Sequence, residues 1–416
     1  MIKGMAHTAL LLACGLTSAV FADDATDPEQ IFQEAMQLRD QGQIYPAIEL
    51  FEALLSKQPG LGRARLELAV AYHNARRFEE ARQQLLQVLN DPDTPETVRL
   101  SVSAYLAQLG SDEKVTRKRT SSSVYVSAGL FTDSNVNLGP SPETPNVSAT
   151  ETDGTGMAVT ASISHLSRAP QPLQINDRAV DMEWHSQATA YSKVYSGEEN
   201  DYNVHVLSLR TGPALVDNGN WRGSLNFRLD KIYFDDNPYS FNVGLNPVFA
   251  LVFDNDTEIS FEALTMVREF SSPADQGLDG STNMLGFALA KFYNKPAIGV
   301  EAGMRYHANG ADAAYLNAQG AEIFVGGQMP AWQDARTYLQ LSVRDYDYRA
   351  ADPATVNPPR DETESQAILG VSHDFTSGPL KSWTLNSQIT YTENTSNVVI
   401  FEYDRTVFEI NMRSYF

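Results

Sequence analysis

Six histidines follow residue 22: His73, His165, His185, His205, His307 and His373. No two of them have the His-x-x-x-His spacing, with a Glu between, that puts two zinc ligands on one helical face. No Gly-x-Ser-x-Gly elbow and no glycine-rich phosphate loop is present, so neither an exposed nucleophile nor a nucleotide cradle is encoded locally. A composite site from His185, Asp230 and a serine would need long-range assembly that no motif specifies. The expectation is a chain that is no enzyme and uses no cofactor or catalytic metal. What the sequence does hold is charge at strand spacing. Arg222, Arg228, Asp230, Glu258, Glu262, Arg268, Glu301, Arg305, Arg344, Glu409 and Arg413 stand among alternating apolar residues in the second part of the chain. Side chains two apart share a face of a strand, so this pattern gathers the charges on one side.

The elements that place them follow from the period. Beyond residue 122 there is no convincing helix, and fourteen segments of roughly 8 to 14 residues alternate in polarity. Leu225, Phe227 and Leu229 alternate with Asn226, Arg228 and Asp230; Ile298, Val300, Ala302, Met304 and Tyr306 alternate with Glu301, Arg305 and His307. Asp217-Asn218-Gly219-Asn220 and Asp254-Asn255-Asp256 supply hairpin turns between segments. A soluble sandwich would alternate too. The even count, the alternation of longer and shorter connections, and the aromatics near segment ends (Trp184, Tyr195, Trp221, Tyr233, Trp383, Tyr391) point instead to a transmembrane barrel. Residues 132–156, 271–280, 308–320, 349–361 and 393–402 are then the outward connections. The last strand puts Phe408, Ile410, Met412 and the terminal Phe416 on one face against Glu409, Asn411 and Arg413. That ending is the pattern that outer-membrane barrel assembly machinery recognises. The charged set above then points into the lumen, where it either braces the wall or meets a passing substrate.

Between residues 27 and 110 the period is 3.6, with an internal repeat of 34 residues. Ala35 matches Ala69, Leu38 matches Tyr72, Ile44 matches Phe78, Ala47 matches Ala81, Phe51 matches Leu85 and Leu54 matches Val88. Small residues let paired helices approach, and bulky ones fill the space between pairs. Gly42 marks the turn of the first repeat, where the second has Arg76. Pro95 to Leu109 is expected to cap the array. The spacing resembles the tetratricopeptide repeat (TPR), and that resemblance implies a concave groove lined by Phe32, Met36, Arg39, Asp40, Leu66, Val70, His73 and Asn74.

Composition sets the outer bounds. The 416 residues include 31 basic and 52 acidic ones, a formal net charge of -21, which argues against a nucleic-acid partner. The single Cys14 excludes a disulfide framework. Lys3, the apolar run Ala9 to Leu16 and the closing Val20-Phe21-Ala22 read as a secretory signal cut after Ala22. The organisation expected is a signal peptide at 1–22, a periplasmic TPR-like domain at 23–110, a linker at 111–121 and a monomeric β-barrel at 122–416 seated in outer-membrane lipid.

One further segment, Asp133-Ser134-Asn135-Val136-Asn137, closes the first strand; such runs ordinarily make turns. Together with the signal, the short TPR part, fourteen strands and Phe416, it resembles the surface lipoprotein assembly modulator (Slam) family, the type XI secretion translocators. The resemblance implies carriage of a lipoprotein or soluble protein cargo across the outer membrane, with the TPR domain engaging the cargo. A passive or substrate-specific porin with a TPR adaptor, and a barrel serving as an anchor or adhesion surface, are the competing readings.

Overall fold

The computed structural model describes residues 27–416 apart from 118, 141–150, 218, 255, 295 and 354–357, with backbone only for 114–117 and 198. The expected signal peptide and its cleavage point lie outside the described residues.

Five helices come first: α1 Pro28–Asp40, α2 Ile44–Lys57, α3 Gly62–Asn74, α4 Phe78–Asn90 and α5 Glu96–Arg117. Asp27 caps α1 by accepting from Glu29 N at 3.1 Å, and Pro28 stands in its first turn. The repeat read from the sequence is the packing repeat. Ala35, Ala69, Ala47 and Ala81 are wholly buried, and Phe51, Leu54, Leu85 and Val88 fill the core between the pairs. Both turns within the pairs use left-handed backbone, Gly42 at φ 79° and Arg76 at φ 57°. The capping helix of the array is longer than the sequence suggests. α5 continues through the expected linker to Arg117, burying Val102 and Leu109, because no proline or glycine interrupts residues 111–117.

Fifteen strands follow: β1 Thr120–Asp133, β2 Gly154–Arg168, β3 Leu173–Ile175, β4 Arg178–Tyr195, β5 Val204–Asp217, β6 Trp221–Phe234, β7 Asn237–Phe253, β8 Thr257–Phe270, β9 Gly280–Asn294, β10 Ala297–Ala311, β11 Ala318–Trp332, β12 Ala335–Tyr348, β13 Asp361–Asp374, β14 Trp383–Ser396 and β15 Tyr403–Tyr415. The short β3 pairs only with β4. The other fourteen form a closed antiparallel ring in which β1 meets β2 on one side and β15 on the other. Closure pairs β1 with β15, the two strands that would be the edges of an open sheet. Between β2 and the long part of β4 lies this small β3–β4 hairpin, turning at Asn176 and Asp177.

The outer wall is apolar and bare: Leu130, Ile163, Leu207, Phe227, Phe261, Leu285, Val300, Ile323, Leu341, Leu369 and Phe408 all project from it, with Leu285 64% and Ile323 66% exposed. In water such a continuous belt would be untenable, whereas lipid is its natural solvent. All four tryptophans (Trp184, Trp221, Trp332, Trp383) stand at the strand ends nearest the helices, as an interfacial girdle requires. Tyr195 does not belong to that girdle. It lies at the far end, faces inward and is buried against Phe131, with ring centroids 5.0 Å apart.

Candidate functional site

Cross-strand register assigns the inner wall. Ser208 stands opposite Asp230, Asn242 opposite Arg268, Glu301 opposite Gly326, Glu322 opposite Arg344, and Glu409 opposite Gln388. All eleven charged residues singled out in the sequence therefore share the face turned away from the apolar belt.

Most of them are held by neighbours. Arg222 pairs with Glu258 at 2.6 Å, and Arg228 with Asp230 at 2.8 Å, while Ser208 Oγ donates to Asp230 at 2.6 Å. Glu262 accepts from Asn246 Nδ2 at 2.9 Å, and Glu409 from Asn411 Nδ2 at 2.9 Å. Arg305 and Arg344 converge on Glu322, each at 3.1 Å. Arg268 donates to the Gly310 carbonyl at 2.9 Å. Arg268, Glu301 and Arg413 form no ion pair among the described residues.

The strongest groupings include residues that alternation alone did not single out. Glu322 is a hub: besides the two arginines it receives His307 Nε2 at 3.0 Å, and Arg344 reaches on to Glu364 at 3.7 Å. Arg360 lies between the rings of Tyr348 and Phe401, at 3.8 and 3.9 Å, and bonds Glu362 at 3.0 Å. The parity of β11 and β13 would have placed Glu322, Glu362 and Glu364 inside; their partners on other strands leave no trace in the sequence.

The second hub is Asp133, the first residue of the Asp-Ser-Asn-Val-Asn segment. It is 2% exposed and takes Arg405 Nε at 2.8 Å, Tyr195 Oη at 2.8 Å and Lys193 Nζ at 3.2 Å. Ser134 N donates to Thr406 O at 3.0 Å and Ser134 Oγ accepts from Thr406 N at 2.8 Å. Asn135, wholly buried, donates to Asp404 O at 3.0 Å and closes its own turn through both the N–H and the carbonyl of Gly139. Val136 is buried, and Asn137 Oδ1 accepts from Thr152 N at 3.0 Å. The segment is thus a turn, but one tied to the last strand of the barrel.

The expected helical groove is in part internal packing. Phe32 is buried edge-on to Phe51 with Arg63 over its ring; Arg39 pairs with Glu67 and with Asp40. His73 bonds Tyr105 Oη at 2.7 Å and Asp112 at 3.1 Å, so it fastens α3 to α5. Met36, Leu66 and Val70 are half-buried, and Asp40 and Asn74 are exposed. In the array core, burial and then the hydrogen bond to Glu52 raise the Tyr72 phenol above its ordinary range.

The array also touches the barrel. Arg76, in the turn between α3 and α4, pairs with the buried Asp181 of β4. Arg178 of β4 donates to the Gln41 carbonyl at 3.3 Å beside Gly42, the equivalent turn one repeat earlier, and pairs with Asp217 at 3.4 Å. Two turns related by the repeat therefore rest on one rim of the barrel. Just inside that end of the lumen is a cavity of about 550 Å³ lined by Ser123, Ser164, His185, Arg210, Arg222 and Asn226, among others.

The fold and this geometry define a class: a membrane-spanning fourteen-stranded barrel carrying a TPR-type helical array at one end. Comparison places part of the chain more narrowly. The tetratricopeptide-repeat family matches residues 38–100. No curated protein matches the sequence. Solved structures similar to it include OccAB1 of Acinetobacter baumannii (TM-score 0.38, 10% identity, covering 71% of this chain and 96% of that one). OprD of Pseudomonas aeruginosa gives 0.36, 9%, 72% and 93%, and OpdK of the same organism with vanillate gives 0.35, 8%, 72% and 99%. Likeness at this level assigns neither substrate nor pore state.

Proposed function

We propose that this chain is an outer-membrane translocator that moves or displays a lipoprotein or soluble protein cargo at the cell surface, with the cargo engaged by the helical array on the periplasmic side. The observation that carries the reading is the seating of the array. Arg76–Asp181 and Arg178–Gln41 hold its turns on the rim, while α5 leads into β1. A binding module held there delivers whatever it binds to the barrel mouth, which raises the local concentration of cargo. The resemblance of the architecture and of residues 133–137 to the Slam translocators supports the same reading. Lumen charges serve mainly to brace the wall.

The test is deletion of residues 27–110 followed by surface labelling of cargo. Loss of display with the barrel still inserted is expected; normal display by the truncated chain would sink the reading.

The cavity inside the array end favours a second reading, a substrate-specific porin for small polar solutes. Planar-bilayer recording separates the two, because a large steady conductance in the full chain belongs to a porin and not to a closed translocator.

A further inference from the structure

The junction that closes the barrel is unequal along its length. β1 pairs with β2 over its whole length, Thr120 opposite Ser167 through Asp133 opposite Gly154. Against β15 the register runs only from Asp133↔Val407 to Tyr125↔Tyr415, followed by reciprocal backbone bonds between Val124 and Phe416. Residues Thr120–Ser123, a hydroxyl-rich run, reach the array end paired to β2. Gly129 permits the close approach midway, since a Cβ there would stand 2.4 Å from the Ile410 carbonyl oxygen.

The two ends are fastened by different means. At the far end the charged and buried Asp133 draws Arg405 of β15 together with Lys193 and Tyr195 of β4, and Ser134 and Asn135 add three bonds to β15 backbone. At the array end the junction is closed by the Tyr125–Tyr415 ring pair, 4.9 Å between centroids, and by the Val124–Phe416 backbone bonds, with no ion pair among the described residues. An unpaired backbone group is intolerable in the hydrocarbon region but is readily hydrated near the interface. Separation of β1 from β15 breaks an ion pair and side-chain bonds at the clasp but only a ring pair and backbone bonds at the array end, so it is least costly at the array end. The helices are joined at that same end, α5 ending at Arg117 and β1 beginning at Thr120. They are also anchored on β4, beyond β2, through Asp181.

We propose that the β1–β15 junction is a lateral gate, hinged at the Asp133–Arg405 clasp, opened from the array end, and restrained by the Arg76–Asp181 contact. Cargo that draws the array away from β4 moves the array end of β1, with β2, away from β15 and opens a sideways path from the lumen toward lipid. β1 stays paired to β2 throughout. This deepens the translocator reading and rests on it for the identity of the traffic, but the gate itself is a property of the barrel.

Dipolar EPR on the full chain in lipid nanodiscs tests it, with Cys14 replaced where retained and nitroxides on Tyr125→Cys/Tyr415→Cys or on Thr132→Cys/Phe408→Cys. A second, longer-distance component is expected at the 125/415 pair, at least doubled by Asp181→Asn, with one short component at the 132/408 pair. A single short component at 125/415 in both chains overturns the gate. Equal opening at both pairs overturns the hinge, and no response to Asp181→Asn overturns the restraint. A second arm oxidises the 125/415 pair to a disulfide in cells and scores cargo display. Display lost on oxidation and regained with reductant supports passage through the gate; display unchanged by the lock, yet abolished when the whole protein is absent, overturns it. Should deletion of the whole protein leave display intact, the translocator reading fails while the EPR result still decides the gate.

Discussion

Single residues in this barrel matter in proportion to how many partners they serve. Glu322 balances Arg305, Arg344 and, when protonated, His307, and its side chain is 4% exposed. Replacing it with alanine leaves two guanidinium groups facing each other. Removing one partner of a buried pair costs about 3–5 kcal/mol, and access of water from the lumen brings the expectation here to about 1–3 kcal/mol. Glu322→Ala is expected to lower the temperature at which the folded barrel loses its compact migration on gels, and Glu301→Ala, with no ion partner, to leave it unchanged. Asp133→Ala should act at least as strongly as Glu322→Ala, because it strands both Arg405 and Lys193. The same gel assay with the Asp133→Ala/Arg405→Ala double variant checks the coupling. Additive losses would show that the two residues do not act as a pair.

At the scale of elements, the array offers a separation of local strain from docking. Arg76 occupies left-handed backbone at φ 57°, a conformation costing a non-glycine residue about 1–2 kcal/mol, while its side chain pairs with Asp181. Arg76→Gly relieves the backbone and removes the contact. The helical melting transition followed by circular dichroism should stay level or rise, while trypsin cleavage at the basic run 114–119 should accelerate. A fall in helix stability without faster cleavage would show that Arg76 serves the turn alone. Phe51→Ala should instead cost the array about 3–5 kcal/mol through the cavity it leaves, and spare the barrel. These elements were legible because their periods are local: the 34-residue register of Ala35 with Ala69, and the period of two that marked fourteen strands, need no distant partner. Tyr195 misled for the opposite reason. An aromatic at a strand end belongs to the girdle only if its parity is outward, and parity at the end of β4 depends on pairing with Gly156 of β2. The seating of the array on Asp181 and the tie from residues 133–135 to residues 404–406 depend on contacts far apart in the chain. The turn chemistry of Asp133-Ser134-Asn135 was visible, but its partner strand was not.

For the whole molecule the question is how a chain of net charge -21 keeps an acidic array seated on its barrel. Diffuse repulsion between two acidic bodies opposes docking, and the named contacts are local: Arg76 with Asp181 and Arg178 with Gln41 and Asp217. Salt acts on the two terms differently. The Debye length falls from about 14 Å at 0.05 M to about 3 Å at 1 M, which removes long-range repulsion between exposed charges first. Asp181 has a side chain only 5% exposed, and a partly buried pair is screened far less. Raising salt should therefore hold docking steady or tighten it in the native chain. In Asp181→Asn, where the pair is gone, the array should already be released at low salt and regain little. Trypsin cleavage at residues 114–119 across a salt series measures this directly. Cleavage in the native chain that rises steeply with salt would mean that exposed attraction, and not the buried contact at Asp181, holds the array to the rim.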